Sequence, residues 1–176
     1  ILELADYLPQ PQMAYLAPQA AGQTWYPYSF LAPIAQKEPY LSSALARLEG
    51  VLADVTAAGI PPARVVWAGF SQGACLAAEF VARHAQRYGA VLLFSGGLIG
   101  PPGTPRDYEG TLAGTPVLLG CSDRDAHIPL ARVEETAEVL ARLGAAADKR
   151  IYPRLGHTIN DDEIRAAAAL VAGLPA

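Results

Sequence analysis

The residues Gly69-Phe70-Ser71-Gln72-Gly73 place a serine between two glycines, at the junction of two dissimilar segments. Residues 64–68 before them, Arg-Val-Val-Trp-Ala, form a short β-branched and aromatic run that predicts a buried strand. Residues 74–83 after them are rich in helix formers with apolar side chains at helical spacing. A strand that turns directly into a helix strains the serine backbone, and glycine at both flanks leaves room for neighbouring backbone. The pattern therefore predicts a nucleophile elbow with Ser71 at the carboxyl end of a sheet.

The rest of the chain alternates apolar runs with amphipathic ones. We expect a short helix from the first residue to Leu8, and a long helix from Pro39 to Gly59 with one apolar face. Further strands are expected at residues 13–18, 90–95, 115–121 and 149–152, and further helices at 130–143 and 161–171. Apolar strands that alternate with helices indicate an α/β fold, with a mostly parallel sheet covered by helices on both faces. In such sheets the ligand site lies at the carboxyl ends of the strands.

Composition narrows the class of protein. With 176 residues, 52% of them hydrophobic and 17% charged, the chain is predicted to form one domain over residues 1–176. A net charge of -4 and scattered basic residues argue against a nucleic-acid partner, and short apolar runs argue against stable membrane insertion. The absence of a signal pattern favours a cytoplasmic location. Cys75 and Cys121 fit neither a disulfide framework nor a metal-ligand spacing, so we expect buried structural thiols and no cofactor.

A serine nucleophile needs a general base, and the chain offers three histidines. His84 falls inside the helix after the elbow and is expected to be an exposed helix residue. His127 lies in the loop after the strand at 115–121, where it could line the site. His157 follows the last strand in a glycine-flanked turn, just before a helix, which is where a base can reach back over the sheet. We therefore predict His157 as the base.

The acid that orients this base is expected in residues 122–129, Ser-Asp-Arg-Asp-Ala-His-Ile-Pro. Asp125 is preferred because it lies deeper in the loop, before the Ile-Pro pair that begins the next helix. Asp123 is interpreted as a turn residue that bonds its own backbone. The resulting order of Ser71, Asp125 and His157 is the nucleophile, acid, base order of α/β-hydrolases, and differs from the chymotrypsin and subtilisin orders.

A metal site is the alternative interpretation of the same loops. The oxygen and nitrogen ligands would come from Asp123, Asp125, His127, His157, Asp161 and Asp162. That set lacks a known ligand spacing and leaves the elbow serine unexplained, so we predict no metal.

Five segments together resemble one known family. They are Thr24-Trp25-Tyr26-Pro27 through Phe30, Gly69 to Ala74, Leu93 to Gly97, Cys121 to Pro129, and Tyr152 to Ile159. The match extends over nearly the whole chain and is similar to the phospholipase/carboxylesterase family, which includes acyl-protein thioesterases and small bacterial carboxylesterases. The resemblance implies an α/β-hydrolase fold and a Ser71, Asp125, His157 triad. It also implies hydrolysis of a small-molecule ester or thioester of an acyl chain through an acyl-enzyme.

One departure concerns the oxyanion hole. Members of that family carry an upstream His-Gly loop, after an early strand, whose backbone donates one hydrogen bond to the oxyanion. The given sequence holds no such segment, and the backbone N–H of Gln72 is predicted as the other donor. Losing one donor lowers turnover by about two to three orders of magnitude. We therefore expect early strands and the second donor to precede Ile1.

An apolar wall for the acyl group is predicted from six residues, each of which could equally be an ordinary core residue. They are Trp25, Tyr26, Phe30, Leu98, Ile99 and Ile128. A non-catalytic binding module and an acyltransferase with the same triad are the rival functions. A homodimer is compatible with the sequence.

Overall fold

A sheet of four parallel strands forms the centre of the computed structural model, which describes residues 3–174, and its strands lie side by side in chain order. They are β1 Val66–Phe70, β2 Ala90–Phe94, β3 Pro116–Ser122 and β4 Ala146–Tyr152. The register pairs Gly69 with Leu93, and Leu93 with Leu119. The predicted strands at 64–68, 90–95, 115–121 and 149–152 are all present, and β4 begins earlier than expected.

Helices cover the sheet, and two of the three connections between its strands contain a helix. They are α1 Leu4–Tyr7, α2 Ile34–Lys37, α3 Tyr40–Ala57, α4 Gln72–Arg83, α5 Leu130–Arg142 and α6 Asp161–Ala172. Short 3-10 turns lie at Ala21–Gln23 and Pro62–Arg64. The helix predicted at the start of the chain is observed as α1, and its first two predicted residues, Ile1 and Leu2, lie outside the described residues.

The two faces of the sheet carry separate apolar clusters, because successive side chains of a strand point to opposite faces. In β2, Val91 and Leu93 pack in a cluster with residues of α3, α4 and α5. Leu92 and Phe94 pack on the other face with Ala167 of α6. Every residue of β2 is buried, as expected for a parallel strand covered on both faces. The predicted α/β layering is therefore confirmed.

The strand predicted at residues 13–18 is wrong. These residues are irregular, and Tyr15 and Leu16 are 45% and 64% exposed. A strand is stabilised by the ladder it shares with a neighbour, and within residues 3–174 the only ladder of β1 is the one with β2. Local β propensity alone did not produce a strand without a partner.

Candidate active site

Ser71 lies at the turn between β1 and α4, with backbone φ 54 and ψ -119. A positive φ is strained for a residue with a side chain, so the predicted strained elbow is observed. The turn is held on both sides. The Ser71 N–H donates to the Phe94 carbonyl at 2.9 Å, and its own carbonyl accepts the Cys75 N–H at 3.0 Å. The serine is thereby fixed at the carboxyl end of β1.

The two flanking glycines differ in how much space a Cβ atom would have. A Cβ at Gly69 would lie 2.4 Å from the Gly73 carbonyl carbon, so the close approach predicted for this flank is present. A Cβ at Gly73 would meet nothing within 4 Å. The prediction that both flanks need glycine for space is therefore wrong for Gly73, because it faces open space on the first turn of α4.

His157 and Asp125 complete a hydrogen-bonded chain with the serine. His157 Nε2 lies 2.9 Å from Ser71 Oγ, and His157 Nδ1 lies 2.7 Å from Asp125 Oδ2. The Asp125 side chain is fully buried, and that of His157 is 19% exposed. An Nδ1–H that donates to the carboxylate leaves the Nε2 lone pair facing the serine hydroxyl. The structure thus brings together the three residues predicted from three different strand ends.

Asp125 is held in its ionised form by its hydrogen bonds. Its Oδ1 accepts the N–H groups of His127 at 2.8 Å and Ile128 at 3.1 Å. Burial alone would raise the pKa of Asp125, but the bonds from His157 and from these two N–H groups outweigh burial and lower it. The Cys121 thiol lies 3.8 Å from Asp125 Oδ2. Burial and the neighbouring carboxylate raise the pKa of Cys121 to about 12, so this thiol stays protonated and can donate.

Asp123 lies in a turn, as predicted, but its side chain does not bond its own backbone as expected. Its Oδ1 accepts the Arg154 N–H at 2.7 Å, across the gap between the loops that follow β3 and β4. Asp125 is instead the residue that bonds its own downstream backbone. The sequence could not indicate the contact of Asp123 with Arg154, because the two residues lie 31 positions apart.

The loop that carries His157 is fixed at both ends. Upstream, the Gly156 N–H donates to Ser122 Oγ at 3.1 Å, and Gly156 has a φ of 83, which favours glycine. Downstream, Asn160 caps α6 by accepting the Glu163 N–H, while the Glu163 carboxylate accepts the Asn160 N–H. This capping box defines where α6 begins, four residues after His157.

His157 is the histidine that bonds Ser71, and the other two histidines have different neighbours. His84 directly follows α4, its Nε2 lies 3.1 Å from Glu49 Oε1, and its ring stacks on that of Phe80 with 4.6 Å between the ring centres. It is half-buried, so the expectation of an exposed helix residue is wrong. His127 is exposed, and its ring centre lies 4.7 Å from that of His157. Across the part of the chain that the structure describes, no group of three or more His, Cys, Asp or Glu side chains could hold a metal ion.

Gln72 is the first residue of α4, so its N–H belongs to the helix turn whose N–H groups have no partner within the helix. Its side chain has a second role that the sequence did not indicate. The Gln72 amide accepts the Trp25 N–H and donates to the Tyr26 carbonyl, both at 2.9 Å. The elbow and the predicted wall segment are therefore joined directly.

The six predicted wall residues belong to, or pack against, the apolar cluster that includes Ala74 and Cys75 of α4. Trp25 is half-buried, whereas the other five are less than a tenth exposed: Tyr26 1%, Phe30 7%, Leu98 0%, Ile99 0% and Ile128 3%. Contact with an acyl chain stays a prediction for all six.

The backbone of residues 97–100, which carries two of these wall residues, is held by side chains. The N–H groups of Gly97, Leu98 and Ile99 bond Cys75 Sγ at 3.5 Å, Thr136 Oγ1 at 3.0 Å and Glu79 Oε2 at 3.1 Å. A buried backbone without a helix or a sheet needs such partners, and here α4 and α5 supply them.

The carbonyls of the same segment bond two arginines. Arg132 is 4% exposed and donates to the Leu98 carbonyl at 2.6 Å and to the Gly100 carbonyl at 2.7 Å. Arg106 donates to the Ile99 carbonyl at 2.8 Å. Both guanidinium groups also pair with Glu135 at 2.8 Å. Sequence reasoning missed this network, because charged residues on an amphipathic helix are usually exposed.

Comparison with known proteins identifies the family to which the chain is similar. Residues 10–172 match the model of the phospholipase/carboxylesterase family. A protein of Oryza sativa subsp. japonica named "probable carboxylesterase" is 28% identical over 134 residues, which are 76% of this chain and 57% of that protein. An Arabidopsis thaliana protein named "probable carboxylesterase SOBER1-like" is 25% identical over 128 residues, 73% of this chain and 49% of that protein. The chain thus spans about half the length of these curated relatives.

A solved structure points to the same family. The crystal structure of a phospholipase/carboxylesterase from Dyadobacter fermentans superposes with a TM-score of 0.94 at 42% sequence identity. The match covers 98% of this chain and 82% of that one. The predicted α/β-hydrolase fold is therefore confirmed. Within residues 3–174, no helix is both long enough and apolar enough to cross a membrane.

Proposed function

The chain belongs to the phospholipase/carboxylesterase family, and on that basis we propose that it is a serine carboxylesterase acting on esters or thioesters of an acyl chain. The observation that carries the proposal is the hydrogen-bonded chain from Ser71 Oγ through the His157 ring to Asp125, with links of 2.9 and 2.7 Å. Both links fall within the range that general-base activation of a nucleophile requires.

Acylation begins when Ser71 Oγ attacks the carbonyl carbon of the ester. His157 Nε2 takes the hydroxyl proton as the Oγ–C bond forms, and then passes it to the leaving alcohol or thiol as the ester bond breaks. Asp125 keeps the Nδ1–H tautomer in place and stabilises the imidazolium that forms. The lowered pKa of Asp125 supports this role, because the carboxylate is charged at neutral pH.

Deacylation reverses these roles with water as the nucleophile. His157 removes a proton from water, the hydroxide oxygen bonds the acyl carbon, and the proton is returned to Ser71 Oγ as the acyl-enzyme bond breaks. The products are a carboxylic acid and the free serine. In both steps the Gln72 N–H donates to the oxyanion, a charge that exists only in the tetrahedral intermediate and the transition states that flank it.

The first experiment compares Ser71→Ala with Ser43→Ala, the same change at an exposed serine on α3. We expect Ser71→Ala to lower kcat for p-nitrophenyl esters by about 10⁴-fold or more, because the nucleophile is lost. Ser43→Ala keeps the wild-type rate. Turnover by Ser71→Ala at a rate close to that of Ser43→Ala would show that Ser71 is not the nucleophile.

A second experiment separates an esterase from a binding module of the same fold. An activated serine reacts with a fluorophosphonate probe, whereas an unactivated one does not. We expect labelling of the wild type and of His84→Asn, and loss of labelling in His157→Asn. His84 is a matched control because it lies at the opposite end of α4 from Ser71. Labelling of His157→Asn at the wild-type rate would refute the assignment of the base.

A further inference from the structure

The side-chain amide of Gln72 fits the backbone of residues 24–26 at both of its polar atoms. Its Oε1 accepts the Trp25 N–H at 2.9 Å, and its Nε2 donates to the Tyr26 carbonyl at 2.9 Å. The Thr24 hydroxyl lies 3.2 Å from each amide atom. The amide thus bonds one N–H and one carbonyl of this segment.

The segment held in this way has no regular structure of its own. Residues 24–28 belong to no helix or strand. Their contacts with Gln72 bridge 46 to 48 positions of the chain, so they are tertiary and not local. Trp25 is half-buried against the apolar cluster, while Thr24 before it is exposed. The position of the Trp25 backbone therefore depends on the Gln72 amide.

We propose that the Gln72 side chain is a positioning residue that holds Trp25 beside the nucleophile and so sets the preference for acyl-chain length. The inference rests on the proposed esterase function. It assigns to the side chain a role distinct from that of the backbone N–H, which every substitution except proline retains. The two roles meet in one residue because Gln72 directly follows Ser71.

Removal of the amide is expected to affect substrates with long and short acyl chains differently. Without it, the Trp25 N–H loses its partner, the Tyr26 carbonyl keeps only the Thr24 hydroxyl at 3.1 Å, and the segment gains alternative positions. A long acyl chain needs an apolar wall at a fixed distance from Ser71, whereas an acetyl group is too short to reach one. The loss of two hydrogen bonds of ordinary strength corresponds to about tenfold in selectivity.

The test compares Gln72→Met, which keeps the length of the side chain and removes its amide, with Gln36→Met at an exposed position of α2. The readout is the ratio of kcat/KM for p-nitrophenyl octanoate to that for p-nitrophenyl acetate. We expect Gln72→Met to lower this ratio about tenfold and Gln36→Met to leave it unchanged. Gln72→Glu keeps an acceptor for the Trp25 N–H but loses the donor to Tyr26, so it lowers the ratio by a smaller factor. An unchanged ratio in both Gln72 variants overturns the inference.

A double variant shows whether Gln72 acts through Trp25. Trp25→Ala is expected to lower the same ratio, and adding Gln72→Met to it should then change the ratio less than about twofold, because coupled residues are non-additive. Full additivity of the two changes contradicts the inference. A general structural defect would instead lower the two substrates' kcat/KM equally and leave the ratio unchanged.

Fluorescence quenching tests the positioning without any turnover. The chain has two tryptophans, so Trp67→Phe leaves Trp25 as the single emitter. In that background, Gln72→Met is expected to raise the acrylamide quenching constant of Trp25, and Gln36→Met is not. If quenching rises while no variant or wild type cleaves esters, the positioning holds and the esterase function fails. If esters are cleaved and quenching does not change, the inference fails alone.

Discussion

Replacement of Arg132 by methionine tests how the buried segment 97–100 is stabilised. The guanidinium donates to the Leu98 and Gly100 carbonyls at 2.6 and 2.7 Å. Methionine has a similar length and fills the same apolar surroundings, but it donates no hydrogen bond. Both carbonyls then lose a charged donor inside the protein.

The cost follows from those two bonds. A buried polar group left without its partner costs about 1–3 kcal/mol, and a charged donor lies toward the upper end. The ion pair with Glu135 adds less, because that carboxylate is 34% exposed and keeps its contact with Arg106. We expect Arg132→Met to lower the free energy of unfolding by about 3–5 kcal/mol, a large part of the 5–15 kcal/mol typical of a domain. The midpoint of thermal unfolding would fall by about 10 °C.

Urea unfolding followed by far-UV circular dichroism measures this loss, and an unchanged m-value shows that the native state remains compact. Arg165→Met is the matched control, since Arg165 lies on α6 with its side chain 70% exposed and an ion-pair distance of 3.4 Å to Asp162. That change is expected to cost less than about 1 kcal/mol. If the two variants lose similar amounts, the reasoning from buried carbonyls is refuted.

Two further predictions concern the elbow and the carboxylate. Gly69→Ala is expected to lower the free energy of unfolding, measured in urea, by about 3 kcal/mol or more, because its Cβ would lie 2.4 Å from the Gly73 carbonyl carbon. Gly73→Ala should change the free energy of unfolding by less than about 1 kcal/mol, because its Cβ would have no neighbour within 4 Å. Equal costs would contradict the steric argument. Asp125→Asn is expected to lower kcat by about 10⁴-fold if Asp125 orients His157 as proposed. Hydrogen bonds hold the pKa of Asp125 below its ordinary value of 3.8. The stabilisation that the ionised carboxylate gives to the folded state is therefore present above that pH and is lost as the pH falls through the lowered pKa. The difference in unfolding free energy between wild type and Asp125→Asn should therefore shrink below about pH 4, and a constant difference from pH 7 to pH 3 would contradict this assignment.

Much of the fold could be predicted from the local sequence pattern. The apolar run before Gly69 and the helix formers after Gly73 predicted β1 and α4, because a period of two or of 3.6 is a property of consecutive residues. The segment at residues 13–18 had a similar pattern but formed no strand, since a ladder also needs a neighbour at the right distance.

Part of the candidate site could also be predicted from the sequence, for a related reason. In a parallel sheet, residues that follow different strands meet at one edge, so Ser71, Asp125 and His157 could be predicted to approach one another without knowledge of any distance. The contact of Asp123 with Arg154 could not be predicted in this way. It depends on how two loops pack, and both aspartates follow the same strand.

The sequence by itself determined the four strands of the sheet, the four long helices, the elbow at Ser71 and the choice of the three residues for the proposed triad, because each depends on neighbours along the chain. Only the tertiary structure decided what supports them. The Gln72 amide reaches Trp25, and Arg132 reaches Leu98, over 47 and 34 positions of the chain. A polar side chain becomes a partner for buried backbone only when folding removes water from both groups. A local sequence pattern does not show which distant groups will be buried together.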